Sequence, residues 1–218
     1  LGSVAKGRLR VALPPAFSQE FVAPSLLSFQ QQHPEIDLEI VVTSQGAALI
    51  RDQVDIAVLV GELEDSELVS LPLIRGQLIW VASPEWLAEH ALGSSVHDLR
   101  QSIQICETRY AQRRLPICIG EQLDTLDLSQ GVIQVNNPLV VRHVVLSGGG
   151  ISMLPQHYCV KPLSEGLLQQ VFPHIRLELA SSQLTAVYPS RRLLSPRVRV
   201  FLDFLSHICR DYTLVYQA

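Results

Sequence analysis

The sequence predicts an α/β protein made of two α/β subdomains. Three observations lead to this class. Strand-like segments with apolar residues at period two alternate with segments of helical spacing, the connections between them are short, and the pattern of elements changes after Ser83. The chain has 218 residues, 47% of them apolar, so it can bury a large core without a metal or a disulfide.

The first subdomain begins with strands that alternate with helices. Strands are predicted at 9–13, 36–43 and 54–60. A helix at 18–32 is expected to start with Ser18 as its N-cap, and a short helix follows Ser44-Gln45-Gly46. Short β-α-β connections of this kind predict a parallel sheet with right-handed crossovers. A further β region is predicted at 68–83, broken at Pro72 and at Arg75-Gly76.

From Pro84 onwards the predicted elements are shorter. A helix at 84–91 is followed by a loop at 92–95, and four strands are predicted at 103–106, 116–119, 132–135 and 151–154. Asn137 is expected to cap a helix that has Pro138 at its first position and stops at Gly148-Gly149-Gly150. A strand at 184–187 and a last helix from Ser195 are expected to return to the first subdomain.

Charge and hydropathy exclude two classes of partner. There are 17 Lys and Arg residues against 21 Asp and Glu, a net charge of −4, whereas a surface that follows nucleic-acid phosphates is basic. The segment 143–160 has no charged residue, but its glycines and Pro155 indicate a loop within an α/β unit and no membrane span. No signal peptide is recognised at the start, so we expect a cytoplasmic protein.

The four cysteines are predicted to be reduced and buried in the core. Cys106, Cys118, Cys159 and Cys209 match no metal-ligand spacing, and each lies among apolar neighbours. No metal and no cofactor are therefore expected. A redox role of Cys106 and Cys118 stays open, since several arginines lie between them in the sequence.

The sequence offers no recognisable catalytic site. The segment Gly150-Ile151-Ser152-Met153-Leu154 lacks the second glycine of a nucleophile elbow. The glycines at 148–150 are not followed by the Lys-Ser/Thr of a phosphate-binding loop. The seven histidines form no H-x-x-x-H pair. We therefore do not predict an enzyme.

A binding site is expected where the parallel strands end. In open α/β sheets ligands bind beyond the carboxyl ends of the strands, and helices that begin there favour anions through their free N–H groups and dipoles. The candidate contacts at these ends are Ala16, Phe17, Ser18, Thr43, Ser44, Gln45, Asn136 and Asn137. This arrangement favours carboxylates or similar anions. The few side-chain donors in the first turn, Pro14-Pro15-Ala16-Phe17, further indicate a small, partly apolar organic acid or an aromatic compound.

Each candidate also has a purely structural interpretation. Ser18, Ser44 and Asn137 are typical helix N-caps. Phe17 is a typical core residue, and Thr43 is a typical strand residue. Asn136 has no such alternative, which makes it the better candidate in its segment.

Eight segments occur together in the order and spacing of one protein family. They are Gly7-Arg8-Leu9-Arg10-Val11, Pro24-Ser25-Leu26, His33-Pro34-Glu35-Ile36, Val54-Asp55-Ile56-Ala57, Leu71-Pro72-Leu73, Val81-Ala82-Ser83-Pro84-Glu85-Trp86-Leu87, Gly150-Ile151-Ser152-Met153-Leu154-Pro155, and Val187-Tyr188-Pro189 with Phe201-Leu202-Asp203-Phe204-Leu205. Over residues 7–210 the chain resembles the effector-binding domain of LysR-type transcriptional regulators. The segment 108–116 departs from the family pattern known to us.

The resemblance implies a periplasmic-binding-protein-like fold, in which two crossover strands join two α/β subdomains with a ligand cleft between them. Subdomain I would comprise 8–83 and 185–218, and subdomain II 84–184. The family's effector contacts would include the segment from Cys106 to Tyr110, which adds Cys106, Thr108 and Arg109 to the candidates. Arg109 could equally be a solvated loop charge.

The resemblance also implies the partners. DNA would be bound through an N-terminal winged helix-turn-helix domain that these residues do not contain, and no membrane is involved. The domain would form a homodimer or tetramer in which helix 18–32 packs antiparallel on helix 138–147 of a second copy, with Val22 or Val141 at the interface. The alternative is a periplasmic-type solute-binding protein for a small organic anion.

Overall fold

The computed structural model describes residues 4–177, 179, 181–189 and 194–214. The chain divides into two compact units, Leu1–Arg75 with Ala180–Ala218 and Gly76–Leu179. The first boundary therefore lies at 75/76, whereas the sequence places it after Ser83. The reason is the strand Leu78–Ala82, which pairs only with strands of the second unit.

The thirteen strands among the described residues are β1 (Gly7–Leu13), β2 (Ile36–Val42), β3 (Ile56–Val60), β4 (Leu68–Ile74), β5 (Leu78–Ala82), β6 (Ile105–Glu107), β7 (Leu115–Ile119), β8 (Gln122–Leu126), β9 (Ile133–Val135), β10 (Ser152–Pro155), β11 (Gln169–Val171), β12 (Ile175–Leu177) and β13 (Leu184–Pro189). The α-helices in the same part of the chain are α1 (Pro15–Phe17), α2 (Ala23–Gln32), α3 (Gly46–Leu49), α4 (Pro84–Glu89), α5 (Val96–Ser102), α6 (Pro138–Leu146), α7 (Val160–Ser164) and α8 (Pro196–Leu214).

The first unit is built on a five-stranded sheet with the order β2-β1-β3-β13-β4. Strand β1 is parallel to β2 and β3, as predicted, but β13 is antiparallel to β3 and β4. The sheet is therefore mixed. Pro72 does not interrupt the β region, because it lies within β4 at the edge of the sheet, where a residue without an N–H group is tolerated.

The first helix begins earlier than the sequence predicts. Its N-cap is Pro14, and a π-helical turn at Ser18–Val22 connects α1 to α2. Ser18 is consequently not the N-cap, and its hydroxyl donates to the Pro14 carbonyl at 2.8 Å. Proline fits the start of a helix because its fixed φ suits the first turn and its missing N–H is not needed there.

The second unit contains three small sheets. The antiparallel sheets have the orders β10-β5-β11 and β12-β7-β8, and β6 pairs in parallel with β9. Trp80 of β5 links the first two, since its indole N–H donates to the Ile175 carbonyl at 2.9 Å. The Trp80 ring lies in a buried cluster with Tyr110, Leu115 and Met153. Cys106 of β6 belongs to the same cluster.

The sequence prediction misses five elements of the second unit, α5, α7, β8, β11 and β12, and two of them show the reasons. Helix α5 follows a capping box, in which the Ser95 hydroxyl accepts from the Asp98 N–H at 3.1 Å and the Asp98 carboxylate accepts from the Ser95 N–H at 3.0 Å. That S-x-x-D pattern is a recognisable helix start. Strand β8 has four of its five residues exposed, so it lacks the apolar periodicity on which the prediction depends.

Helix α6 confirms the prediction made from Asn137 and Pro138. The Asn137 side-chain oxygen accepts from the Leu139 N–H at 2.9 Å, and Pro138 occupies the first position. The uncharged segment 143–160 contains the end of α6, strand β10 and a 3₁₀ turn. Within the residues described, none of the helices has the length and hydropathy needed to cross a bilayer.

Gly148 and Gly150, which follow α6, allow a stability test in which the Gly148 substitution is the control for the Gly150 substitution. Gly148 and Gly150 both have positive φ, 89° and 78°. A Cβ at Gly150 would collide with the Ser102 carbonyl, whereas a Cβ at Gly148 would meet nothing. We expect Gly148→Ala to cost about 1 kcal/mol of unfolding free energy and Gly150→Ala about 2–4 kcal/mol. Denaturant unfolding measures both, and equal costs would contradict the collision.

Candidate functional site

In the first unit, the ends of two parallel strands bring the predicted contacts together. Leu13 at the end of β1 lies opposite Val42 at the end of β2, and the Thr43 N–H donates to the Leu13 carbonyl at 2.9 Å. The helical segment that follows β1 therefore starts beside the turn 43–45. We call these residues, 14–18 and 43–45, the first-unit turn pair.

In the first-unit turn pair, the α1 half (residues 14–18) has few side chains that a ligand could contact. Ala16 and Phe17 are buried, and the Phe17 ring stacks on Phe21 with centroids 5.5 Å apart. The core interpretation of Phe17 is thus confirmed. The half-buried hydroxyl of Ser18 is engaged by the Pro14 carbonyl. What this half can present is backbone N–H groups of the first helical turn.

The other half of the first-unit turn pair presents polar side chains. Thr43 is half-buried, and its hydroxyl oxygen accepts from the Gln45 N–H at 2.9 Å. Ser44 and Gln45 are exposed. The N-cap of α3 is Gln45, with no side-chain cap hydrogen bond, so the expectation that Ser44 caps this helix is wrong. Thr43, not Ser44, holds the turn with its side chain.

In the second unit, the parallel pair β6–β9 produces the same arrangement. Glu107 at the end of β6 lies opposite Val135 at the end of β9. The 3₁₀ turn Thr108–Tyr110 and the pair Asn136-Asn137 therefore follow adjacent strand ends. We call residues 106–110 and 136–137 the second-unit turn pair.

The side chains of the second-unit turn pair divide into accessible and inaccessible ones. Thr108, Arg109 and Asn136 are exposed. The Asn137 oxygen is used as the α6 cap, which confirms the cap interpretation. Cys106 is fully buried, and burial, assisted by the neighbouring Glu107 carboxyl, raises the pKa of its thiol to about 11. The Cys106 side chain is therefore part of the core.

Glu107 is the functional group that the sequence prediction overlooked. The residue is only 6% exposed, and its Oε2 atom is buried without a hydrogen-bond partner. Burial raises the pKa of this carboxyl to about 7, and the Arg109 guanidinium opposes part of that rise. The signal was present in the sequence, because Glu107 is an acidic residue that ends the short apolar strand Ile105-Cys106.

The cysteines and the acidic residues give no sign of metal or thiol chemistry. All four cysteines are buried, and burial raises the thiol pKa values of Cys159 and Cys209 to about 12. A thiol with a raised pKa holds little of the thiolate that reacts. Within the described part of the chain, no three His, Cys, Asp or Glu side chains form a group that could hold a metal ion.

Comparison with known proteins gives a consistent set of relatives. Residues 2–210 match the LysR substrate binding domain. The chain is 30% identical over 206 residues to the HTH-type transcriptional regulator PtxR of Pseudomonas aeruginosa, covering 94% of this chain and 65% of PtxR. The chain thus spans just under two thirds of that relative's length.

Solved structures agree with this result. The regulatory domain of CrgA, a LysR-type transcriptional regulator from Neisseria meningitidis, is 28% identical with a TM-score of 0.77, over 94% of this chain and 99% of that domain. The regulatory domain of AphB from Vibrio vulnificus is 23% identical with a TM-score of 0.75, over 93% and 98%, which shows the shared fold. The chain therefore belongs to the LysR substrate binding domain family, the regulatory domains of LysR-type transcriptional regulators.

Proposed function

We propose that this chain senses a small effector for a LysR-type transcriptional regulator, with the effector bound at the carboxyl ends of the parallel strands. The observation that carries the proposal is that each unit has adjacent parallel strands ending in a polar turn pair, the position where open α/β sheets bind ligands. Family membership supports it. Binding would act on transcription by stabilising one of two arrangements of the domain.

The proposed effector is a small organic acid or an aromatic acid. The N-terminal turns that follow β1 and β9 favour negative charge, and Arg109 adds an exposed guanidinium to the second-unit turn pair. Ala16, Phe17 and Cys106 are buried, so their part in binding would be through backbone groups. The exposed polar side chains Thr108, Asn136, Ser44 and Gln45 would contact the effector directly.

Several further properties belong to the same proposal. The chain carries a net charge of −4, so DNA would be bound by a separate winged helix-turn-helix domain of the whole regulator. No catalytic step is proposed, since the relatives in this comparison are transcriptional regulators. The protein would act in the cytoplasm, where the DNA is. The solute-binding alternative finds no specific support among these relatives.

We also propose that the domain pairs with a second copy through the helical segment 15–32 and α6. The specific residues expected at the interface need correction, because Val22 and Val141 are only 1% and 0% exposed. Val22 is a buried residue of the π-helical turn, and Val141 is a buried residue of α6. The exposed apolar residues are Leu27 at 71% and Val140 at 44%.

The sensing proposal predicts ligand-dependent stabilisation without turnover. A bound acid at 100 times its Kd adds about 2.7 kcal/mol, which raises Tm by roughly 5–11 °C for a chain of this size. A thermal-shift screen with small organic and aromatic acids measures this effect. Recovery of the acid unchanged after incubation is expected. Conversion of the acid would favour an enzyme, and a flat response to the whole screen would contradict the sensing proposal.

Ser44→Ala is expected to weaken binding of an acid found in that screen about 2–10-fold, the effect of one hydrogen bond. Tm should change little, since the exposed Ser44 hydroxyl caps no helix. Isothermal titration and thermal unfolding separate the two effects. Ser206→Ala, an exposed serine on α8, is the matched control. A loss of stability with unchanged affinity would make Ser44 structural.

Leu27→Asp is expected to shift a dimer towards monomer in sedimentation at tens of micromolar, because it places a charge in the proposed apolar contact. Leu123→Asp is the control. Leu123 is equally exposed, at 77%, but lies on β8, outside both helices. A wild-type monomer, or equal effects of the two substitutions, would contradict the interface.

A further inference from the structure

We draw no further inference here: the strongest candidate, the small cavity of the first unit between the end of β13 and the start of α8, is lined by Pro189 and Leu194, which flank residues 190–193, and these lie outside the described part of the chain, so nothing in the structure shows what closes it.

Discussion

Parallel pairing of neighbouring strands is the constraint on which the candidate site depends. When two parallel strands lie side by side, the segments that leave their carboxyl ends must leave in the same direction and start beside one another. In the first unit this joins the turn after Leu13 to the turn after Val42. In the second unit it joins the residues after Glu107 to those after Val135. Residues about 30 positions apart in the sequence thereby become neighbours.

The two turn pairs use this shared geometry differently. In the first unit the helical half contributes backbone groups, because Ala16 and Phe17 are committed to the core. In the second unit the charged residues are concentrated, with Arg109 exposed and Glu107 buried within two positions of each other. The buried Glu107 carboxyl ends β6, and α6 begins just after the neighbouring strand β9.

Much of the fold could be predicted because it depends on local patterns. The apolar alternation of 36–42 and the Asn137-Pro138 helix start each specify their element within a few residues. The start of the first helix was misplaced because Ser18 looks like a cap, whereas Pro14 and the π-helical turn move the boundary and the exposed face. Strand β8 was missed because pairing with β7, rather than its own apolar content, makes it a strand.

The sequence by itself determined the α/β class, most of the elements and the family, since these follow from local periodicity, capping residues and ordered short motifs. The unit boundary was decided by tertiary structure, because Leu78–Ala82 joins whichever sheet supplies its partners, and those partners are more than 70 residues away. The state of Glu107 was decided in the same way. A carboxyl pKa depends on solvent exclusion by neighbours that the chain brings together only on folding, and no local pattern contains that information.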